Sequence, residues 1–298
     1  MAAVRKRTAA PSKGARVRLT HPERVLFNKP RVTKAELADF YTEIAASILP
    51  ELINRPLMLL RCPDGAAGPC FFQKHIGRTL PAAIAEIDDP QERQRWIYVK
   101  DLDGLLGLVQ MSVLELHVWG CSVRDLERAN RLVIDLDPGA RVPWARVIEA
   151  ALELRGRLRQ LKLQSFVRTS GGKGLHVVIP LKPAAPWDLA RSFVRVLAEQ
   201  LQRDQPERYL VVAAKAARSG RIFIDYLRNG RGATAVCSYS LRNRPGLPVA
   251  TPLSWDELPK VGAPDEFRFE TIRERLRRVR ADPWKGIDSL RQSLPVRE

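Results

Sequence analysis

The chain has 298 residues, 45% of them hydrophobic, and a formal net charge of +17. That length and apolar share support a sizeable core, as one large domain or two smaller ones. The charge favours a polyanionic partner, nucleic acid before anionic membrane, and no apolar run approaches the roughly 20 residues that span a bilayer. Residues 1–18 are basic and polar with no apolar stretch, so no signal peptide is read and a soluble cytosolic protein is expected. Cys62, Cys70, Cys121 and Cys237 make no C-x-x-C pair and no zinc pattern, and are expected as reduced structural thiols.

Residues 1–16 carry Pro11 and Gly14 and read as a disordered basic arm. Thr33-Lys34-Ala35-Glu36 has the pattern of a capping box, which starts a helix from Lys34 to about Leu49. Leu37, Phe40, Tyr41, Ile44 and Ile48 keep the helical period, and Pro50 reads as its end. Pro56–Leu60 reads as a strand before the turn Pro63-Asp64-Gly65, and Ile97–Val99 as another. Leu105–Val113 reads as a helix and Leu114–Trp119 as an alternating strand. Strands follow at Arg131–Asp137, Phe166-Val167, Leu175–Leu181 and Arg221–Leu227. Helices are expected over Pro143–Leu163, over Trp187–Leu201 and at the end of Pro264–Arg278. Strands and helices mix without a strict βαβ rhythm, which predicts an α/β (α+β) fold with a mixed sheet.

Three segments point to chemistry. The apolar run Leu132-Val133-Ile134 leads into Asp135-Leu136-Asp137, and Pro138-Gly139 stops it. Strand side chains alternate, so Asp135 and Asp137 face one side. Carboxylates that close repel unless a cation lies between them, and hard oxygen donors suit Mg²⁺ or Mn²⁺. The second segment is Thr169-Ser170-Gly171-Gly172-Lys173-Gly174-Leu175-His176. Its glycines let backbone N–H groups approach a phosphate, and Ser170 and Lys173 add donors. It lacks P-loop spacing and leads into a strand, so taken alone it also suits a plain Gly-rich hairpin. The third is Ile222-Phe223-Ile224-Asp225-Tyr226, where an Asp among apolar residues needs a cation. That cation is a metal shared with Asp135 and Asp137, or the guanidinium of Arg221 or Arg228. Together the segments fit two-metal phosphoryl transfer beside a triphosphate-holding loop.

Val-Ile-Asp-Leu-Asp-Pro-Gly, Thr-Ser-Gly-Gly-Lys-Gly-Leu-His and Phe-Ile-Asp-Tyr resemble the three motifs of the archaeo-eukaryotic primase superfamily. More narrowly, residues 17 to about 275 resemble the polymerase domain of bacterial LigD. Leu19–Phe27, Phe71–His75, Glu115–Val118 and Ser240–Arg244 extend the likeness. The resemblance implies a primase-like mixed-sheet core flanked by helices, with an N-terminal α/β lobe packed on it. The divisions it implies are an arm at 1–16, an N-terminal lobe contacting a DNA end at 17–130, a catalytic lobe at 131–280, and a tail or linker at 281–298.

It also implies roles. Asp135, Asp137 and Asp225 would hold two metal ions, Mn²⁺ or Mg²⁺. Ser170, Gly171, Lys173 and His176 would hold the incoming triphosphate, with Arg242 and Arg244 nearby and His117 by the sugar or metal. Phe71 and Phe72 would stack on bases, though core packing is the other reading of that pair. Arg24 and Lys34 would grip a downstream 5′-phosphate, or are helix-face charges. Lys74, Lys215 and Arg218 would lie near DNA. His117 is otherwise a satisfied core histidine. The basic runs 124–131 and 273–280 are solvated faces or phosphate contacts.

The implied activity is a DNA-directed nucleotidyltransferase that fills gaps and ends in non-homologous end joining, with ribonucleotides preferred. Its partners would be DNA ends and gaps with a 5′-phosphate, NTP or dNTP, Ku, and ligase or nuclease modules. No membrane partner is expected, and the bacterial cytoplasm is the expected compartment. A non-catalytic end-binding or Ku-binding module and a de novo primase are the alternatives. A metal-dependent nuclease fits less well, because hydrolysis needs no triphosphate cradle.

Overall fold

The structure, a computed structural model, describes residues 17–75, 80–279 and 281–295. The arm read at 1–16 lies outside the described residues. The N-terminal part runs β1 (Val25–Asn28), β2 (Arg31–Thr33), α1 (Lys34–Glu43), α2 (Ala45–Leu52), β3 (Leu57–Arg61), β4 (Phe71–Gln73), β5 (Ala85–Asp89) and β6 (Gln94–Tyr98). It continues with α3 (Leu102–Gln110), β7 (Val113–Trp119) and β8 (Arg128–Pro138). The remainder is α4 (Trp144–Gln160), β9 (Phe166–Thr169), β10 (Leu175–Pro186), α5 (Trp187–Asp204), β11 (Tyr209–Leu210), β12 (Ile222–Asp225), β13 (Thr234–Val236), β14 (Pro252–Leu253) and α6 (Ile272–Arg278). This is the mixed α/β class the sequence predicts. No helix among the described residues is long and apolar enough to cross a membrane.

Two sheets organise the molecule. One has six strands in the order β11-β12-β8-β10-β9-β14, parallel only at β11–β12. The other has four, β13-β7-β3-β4, and takes β13 from late in the chain. On one face of the larger sheet, Leu132, Ile134 and Leu136 of β8 pair with Ile179, Val177 and Leu175 of β10. These are buried in the main core. Helices α4 and α5 pack against these strands. Their buried residues, Val147, Ala150, Ala151, Leu154 and Leu158 on α4 and Trp187, Ala190, Val194, Leu197, Ala198 and Leu201 on α5, keep one apolar stripe each. A file of edge-to-face tryptophans, Trp96 on β6, Trp119 on β7 and Trp187 on α5, runs through the core with centroids 4.6 and 6.2 Å apart.

Several elements differ from the sequence expectation. The Thr33 capping box forms: Oγ1 accepts from Glu36 N–H, and the Glu36 carboxylate accepts from Thr33 N–H. The expected single helix breaks at Ile44, and Pro50 lies inside α2 rather than ending the helix. Pro50 falls six residues into that short segment, and the helix stops two residues later at Leu52. Cys62 and Cys70 form a disulfide, which corrects the reading of four reduced thiols. The β3–β4 ladder pairs Arg61 with Phe71, so Cys62 and Cys70 face each other at the next step, Cα atoms 4.4 Å apart. Cys121 and Cys237 are free and buried.

Residues 281–295, expected as a tail or linker, form a strap on the open face of the six-stranded sheet. Trp284 and Ile287 pack with Val133 and Val178. Trp284 Nε1 donates to the Val167 carbonyl at 3.0 Å, and Gln292 donates to the Gln164 and Pro180 carbonyls. Asp288 accepts from buried Arg131, which also contacts Glu51. Those contacts are why the segment is fixed: a buried guanidinium needs its counter-charges. Within the basic run 273–280, Arg273 and Arg277 pair with Glu43, Arg275 with Glu257 and Arg278 with Glu274.

One buried ion pair tests the N-terminal part. Asp89 accepts two hydrogen bonds from Arg231, at 2.7 and 3.0 Å, and one from Trp96 Nε1. The Arg231 hydrogen bonds hold the Asp89 carboxyl below its ordinary range, against the opposing effect of burial. Its stabilisation is therefore complete above the usual Asp value and lost as pH falls through the depressed one. Asp89→Asn should cost about 3 kcal/mol at neutral pH in denaturant unfolding. The difference from wild type should close in acid.

Candidate active site

The ladder registers build the site. Asp135 on β8 lies opposite His176 on β10 and opposite Asp225 on β12. His176 in turn lies opposite Arg168 on β9. One row across four strands therefore reads Arg168–His176–Asp135–Asp225. Asp137, two residues on, faces Phe223 in the ladder and lines the same cleft as Asp135. The Asp135 side chain is 14% exposed and that of Asp137 is 44% exposed.

Burial pushes the Asp135 carboxyl up to about 7; Asp225 and Asp137 add to this, and Arg228 and Arg242 oppose it. Two guanidinium groups supply local positive charge. Arg228 Nε lies 3.4 Å from Asp135 and 3.1 Å from Asp225, and Arg218 Nη1 donates to Asp137 at 2.5 Å. No group of three or more His, Cys, Asp or Glu among the described residues is arranged to hold a metal ion. The donor chemistry nevertheless suits one. Asp135, Asp137 and Asp225 are hard oxygen donors, and a carboxyl raised by burial and like charge is relieved by a divalent cation.

The Gly-rich turn forms the opposite wall. Ser170 Oγ accepts from the N–H groups of Gly172 and Gly174, at 3.3 and 3.4 Å, and Ser170 N–H donates to the Gly174 carbonyl. Gly171 has φ +63°, the left-handed region, and a Cβ there would meet the Arg242 side chain at 2.7 Å. Arg242 donates from Nη1 to the Ser170 carbonyl at 2.6 Å and from Nε to Glu115 at 3.0 Å. The cleft is open to solvent and is lined from both sheets. Ser170, Lys173, His176, Arg242 and Arg244 meet Asp135 and Asp137 there, with His117 from β7.

His117 is buried, and its Nε2 lies 2.9 Å from Glu115. Burial would raise the Glu115 carboxyl, but bonds from His117 and the Arg242 charge bring it to about 2. It is thus an acceptor, and His117 Nε2 is the donor. Burial lowers the His117 pKa, partly offset by Glu115. The sequence reading assigned no role to Glu115, although it orients both His117 and Arg242. It also gave none to Arg168, and named Arg228 only as a possible partner of Asp225. Asn229 was missed as well: its amide bonds both the N–H and the carbonyl of Val133, splinting β8.

The remaining expected residues lie on the rim or apart. Phe71 and Phe72 are 47% and 57% exposed, so neither is core; Phe72 sits edge-on to His117, with centroids 5.6 Å apart. Lys74 is exposed, paired with Glu92 at 3.2 Å and set over the Trp96 ring. Lys215 is exposed in a 3-10 turn that also carries Arg218. Arg24 is exposed and donates to the Pro63 carbonyl. Lys34 is buried, and its ammonium donates to the Thr20 and Gln110 carbonyls. Burial and Arg24 lower its pKa, which sets the two cations as neighbours.

The sequence model of the family described as LigD, primase-polymerase domain matches residues 33–284. The chain belongs to this family. That makes it a nucleotidyltransferase of the primase–polymerase class. The chain is 38% identical over 296 residues to the multifunctional non-homologous end joining protein LigD of Pseudomonas aeruginosa, covering 97% of this chain and 35% of that protein. LigD of Mycolicibacterium smegmatis is 34% identical over 267 residues, 88% of this chain and 35% of that protein. The chain thus spans about a third of the length of these relatives. Its fold is similar to the polymerase domain of Mycobacterium tuberculosis Ligase D, solved in complex with DNA: TM-score 0.84, 28% identity, 95% of this chain and 100% of that one.

Glycines at the site separate geometry from composition. A Cβ on Gly174 would lie 2.1 Å from the Leu136 carbonyl oxygen, against a central strand. Gly174→Ala should destabilise the fold by about 1–3 kcal/mol. Gly156, in α4, has nothing within 4 Å of such a Cβ. Gly156→Ala should stabilise by roughly 0.5–1 kcal/mol. Chemical denaturation of both variants checks the pair.

Proposed function

We propose that this domain adds nucleotides to a primer 3′-hydroxyl at gaps and double-strand breaks during non-homologous end joining. One observation carries the proposal. Three carboxylates fixed on adjacent strands, Asp135, Asp137 and Asp225, adjoin a Gly-rich turn with Ser170 and Lys173. A nuclease site needs only the carboxylates; the cationic cradle suits a triphosphate. In the reaction the primer 3′-oxygen bonds to the α-phosphorus, and the bond from that phosphorus to the bridging oxygen of the β-phosphate breaks, releasing pyrophosphate.

Asp135, Asp137 and Asp225 would hold two divalent cations, Mn²⁺ preferred over Mg²⁺. When bound, such ions neutralise the phosphates and favour the ionised 3′-oxygen. Arg228 and Arg218 must then yield the carboxylates. Ser170, the backbone at Gly171, Lys173, His176, Arg242 and Arg244 would bind the triphosphate. His117, held by Glu115, would position the sugar, and the family relationship supports a preference for ribonucleotides. The N-terminal lobe, 17–130, would carry the DNA end against the catalytic lobe, 131–280. Phe71 and Phe72 are exposed and would stack on bases, while Lys74, Lys215 and Arg218 would lie near the DNA. Arg24, with Lys34 behind it, would take the 5′-phosphate. Ku and ligase or nuclease modules would be its partners, in a bacterial cytoplasm.

Extension of a gapped, 5′-phosphorylated duplex with Mn²⁺ and nucleotides tests this directly. Asp135→Ala or Asp225→Ala should reduce extension by on the order of 10²–10³-fold, with duplex binding retained. Full extension by either variant rules out the carboxylate assignment. Wild-type binding without any extension makes the domain an end-binding module instead. Arg24→Ala should cut the preference for a 5′-phosphate over a 5′-hydroxyl by roughly tenfold, about one hydrogen bond to a charged group. Parallel reactions with ribo- and deoxyribonucleotides read the sugar preference, and equal rates exclude it.

A further inference from the structure

We infer that Arg168 is a positioning residue that locks the His176 ring, so that Nδ1 only accepts and a single Nε2–H faces the cleft. Arg168 is 2% exposed and lies directly across β9–β10 from His176. Its Nε and Nη2 are each 3.2 Å from His176 Nδ1. A guanidinium has donors and no acceptor, so Nδ1 must offer its lone pair. A neutral imidazole with that nitrogen bare carries its proton on Nε2. Nε2 is the nitrogen on the cleft side, 3.6 Å from Asp135 Oδ1.

Arg168 is itself held from two further directions. Its Nη1 donates to Ser238 Oγ at 3.0 Å, and the Trp284 ring of the C-terminal strap lies 5.6 Å from its Cζ. Among the described residues no carboxylate is paired with it. Burial accordingly lowers its pKa to about 10. A buried cation without an ion pair is costly, and packing alone would be served by Met or Leu at this place. The return on that cost is a histidine with one fixed donor and no free acceptor. Such a ring suits a phosphate oxygen. It does not suit a cation, because Arg168 covers Nδ1 and Nε2 carries a proton.

The ligand half of this inference rests on the nucleotide-binding reading above; the ring's tautomer does not. Long-range ¹H–¹⁵N correlation spectra of the full chain should show His176 with Nε2 protonated and Nδ1 bare. Arg168→Met should mix the two tautomers and raise KM for the nucleotide roughly tenfold, with a smaller change in kcat. Arg168→Lys, which keeps one donor, should restore part of both. A wild-type spectrum with Nδ1–H overturns the inference without any variant, even if Arg168→Met fails to fold. So does a folded Arg168→Met whose spectrum is unchanged. If the tautomers mix and KM stays put, Arg168 does position the ring, and the assignment of His176 to the triphosphate fails instead.

Discussion

The antiparallel pairing of β8 with β10 on one side and β12 on the other carries the rest of the structure. It sets Asp135 opposite both His176 and Asp225, and β9 continues the row with Arg168. Side chains alternate along a strand, so a slip of one residue would turn this whole row to the other face. The apolar residues between them prevent the slip. Leu132, Ile134 and Leu136 meet Ile179, Val177 and Leu175 under α4 and α5, and exposing that face would cost every one of those burials. Asn229 adds a second lock by bonding both backbone groups of Val133. The reactive row is thus as well determined as the core, because the same registers fix both.

That dependence explains what the sequence shows and what it hides. Asp135 and Asp137 are legible because period two is a local property. Asp225 is legible because a carboxylate inside Ile222-Phe223-Ile224 contradicts its surroundings. The Gly-rich turn is legible through Gly171 and Gly174, which tolerate no side chain there. Arg168 is invisible: in Phe166-Val167-Arg168-Thr169 it looks like any polar residue on a strand, and only the register with β10 makes it a neighbour of His176. Glu115 is hidden for the same reason, since its partners Arg242 and Asn243 arrive from far along the chain. The Cys62–Cys70 disulfide needs the β3–β4 ladder before a separation of eight residues means anything.

Local rules failed where tertiary packing outweighed them. By local rules Pro50 ends a helix, yet α2 runs to Leu52, with Ile48 and Leu52 buried in the core on either side of it. Lys34 reads either as a cation for a 5′-phosphate or as a solvated helix-face charge. Its chain instead runs inward to the Thr20 and Gln110 carbonyls and leaves Arg24 as the exposed cation of the pair. The strap at 281–295 has little periodic pattern, and Trp284, Ile287, Asp288 and Gln292 fix it against the sheet and Arg131.

The carboxylates themselves make the site a place where stability is given up. Asp135 is raised to about 7 because it is buried beside Asp225 and Asp137. Guanidinium groups reduce that repulsion only in part. Arg228 serves Asp135 and Asp225 from a side chain that is 42% exposed, and Arg218 serves Asp137 from a 3-10 turn. The asymmetry is physical. Asp135, Asp137 and Asp225 sit on β8 and β12 and cannot move without breaking ladders, whereas the cations lie at the ends of long side chains off those strands. A sheet that holds like charges this close keeps part of their repulsion even with Arg228 and Arg218 in place. A sheet built only for stability would instead replace those carboxylates with apolar residues.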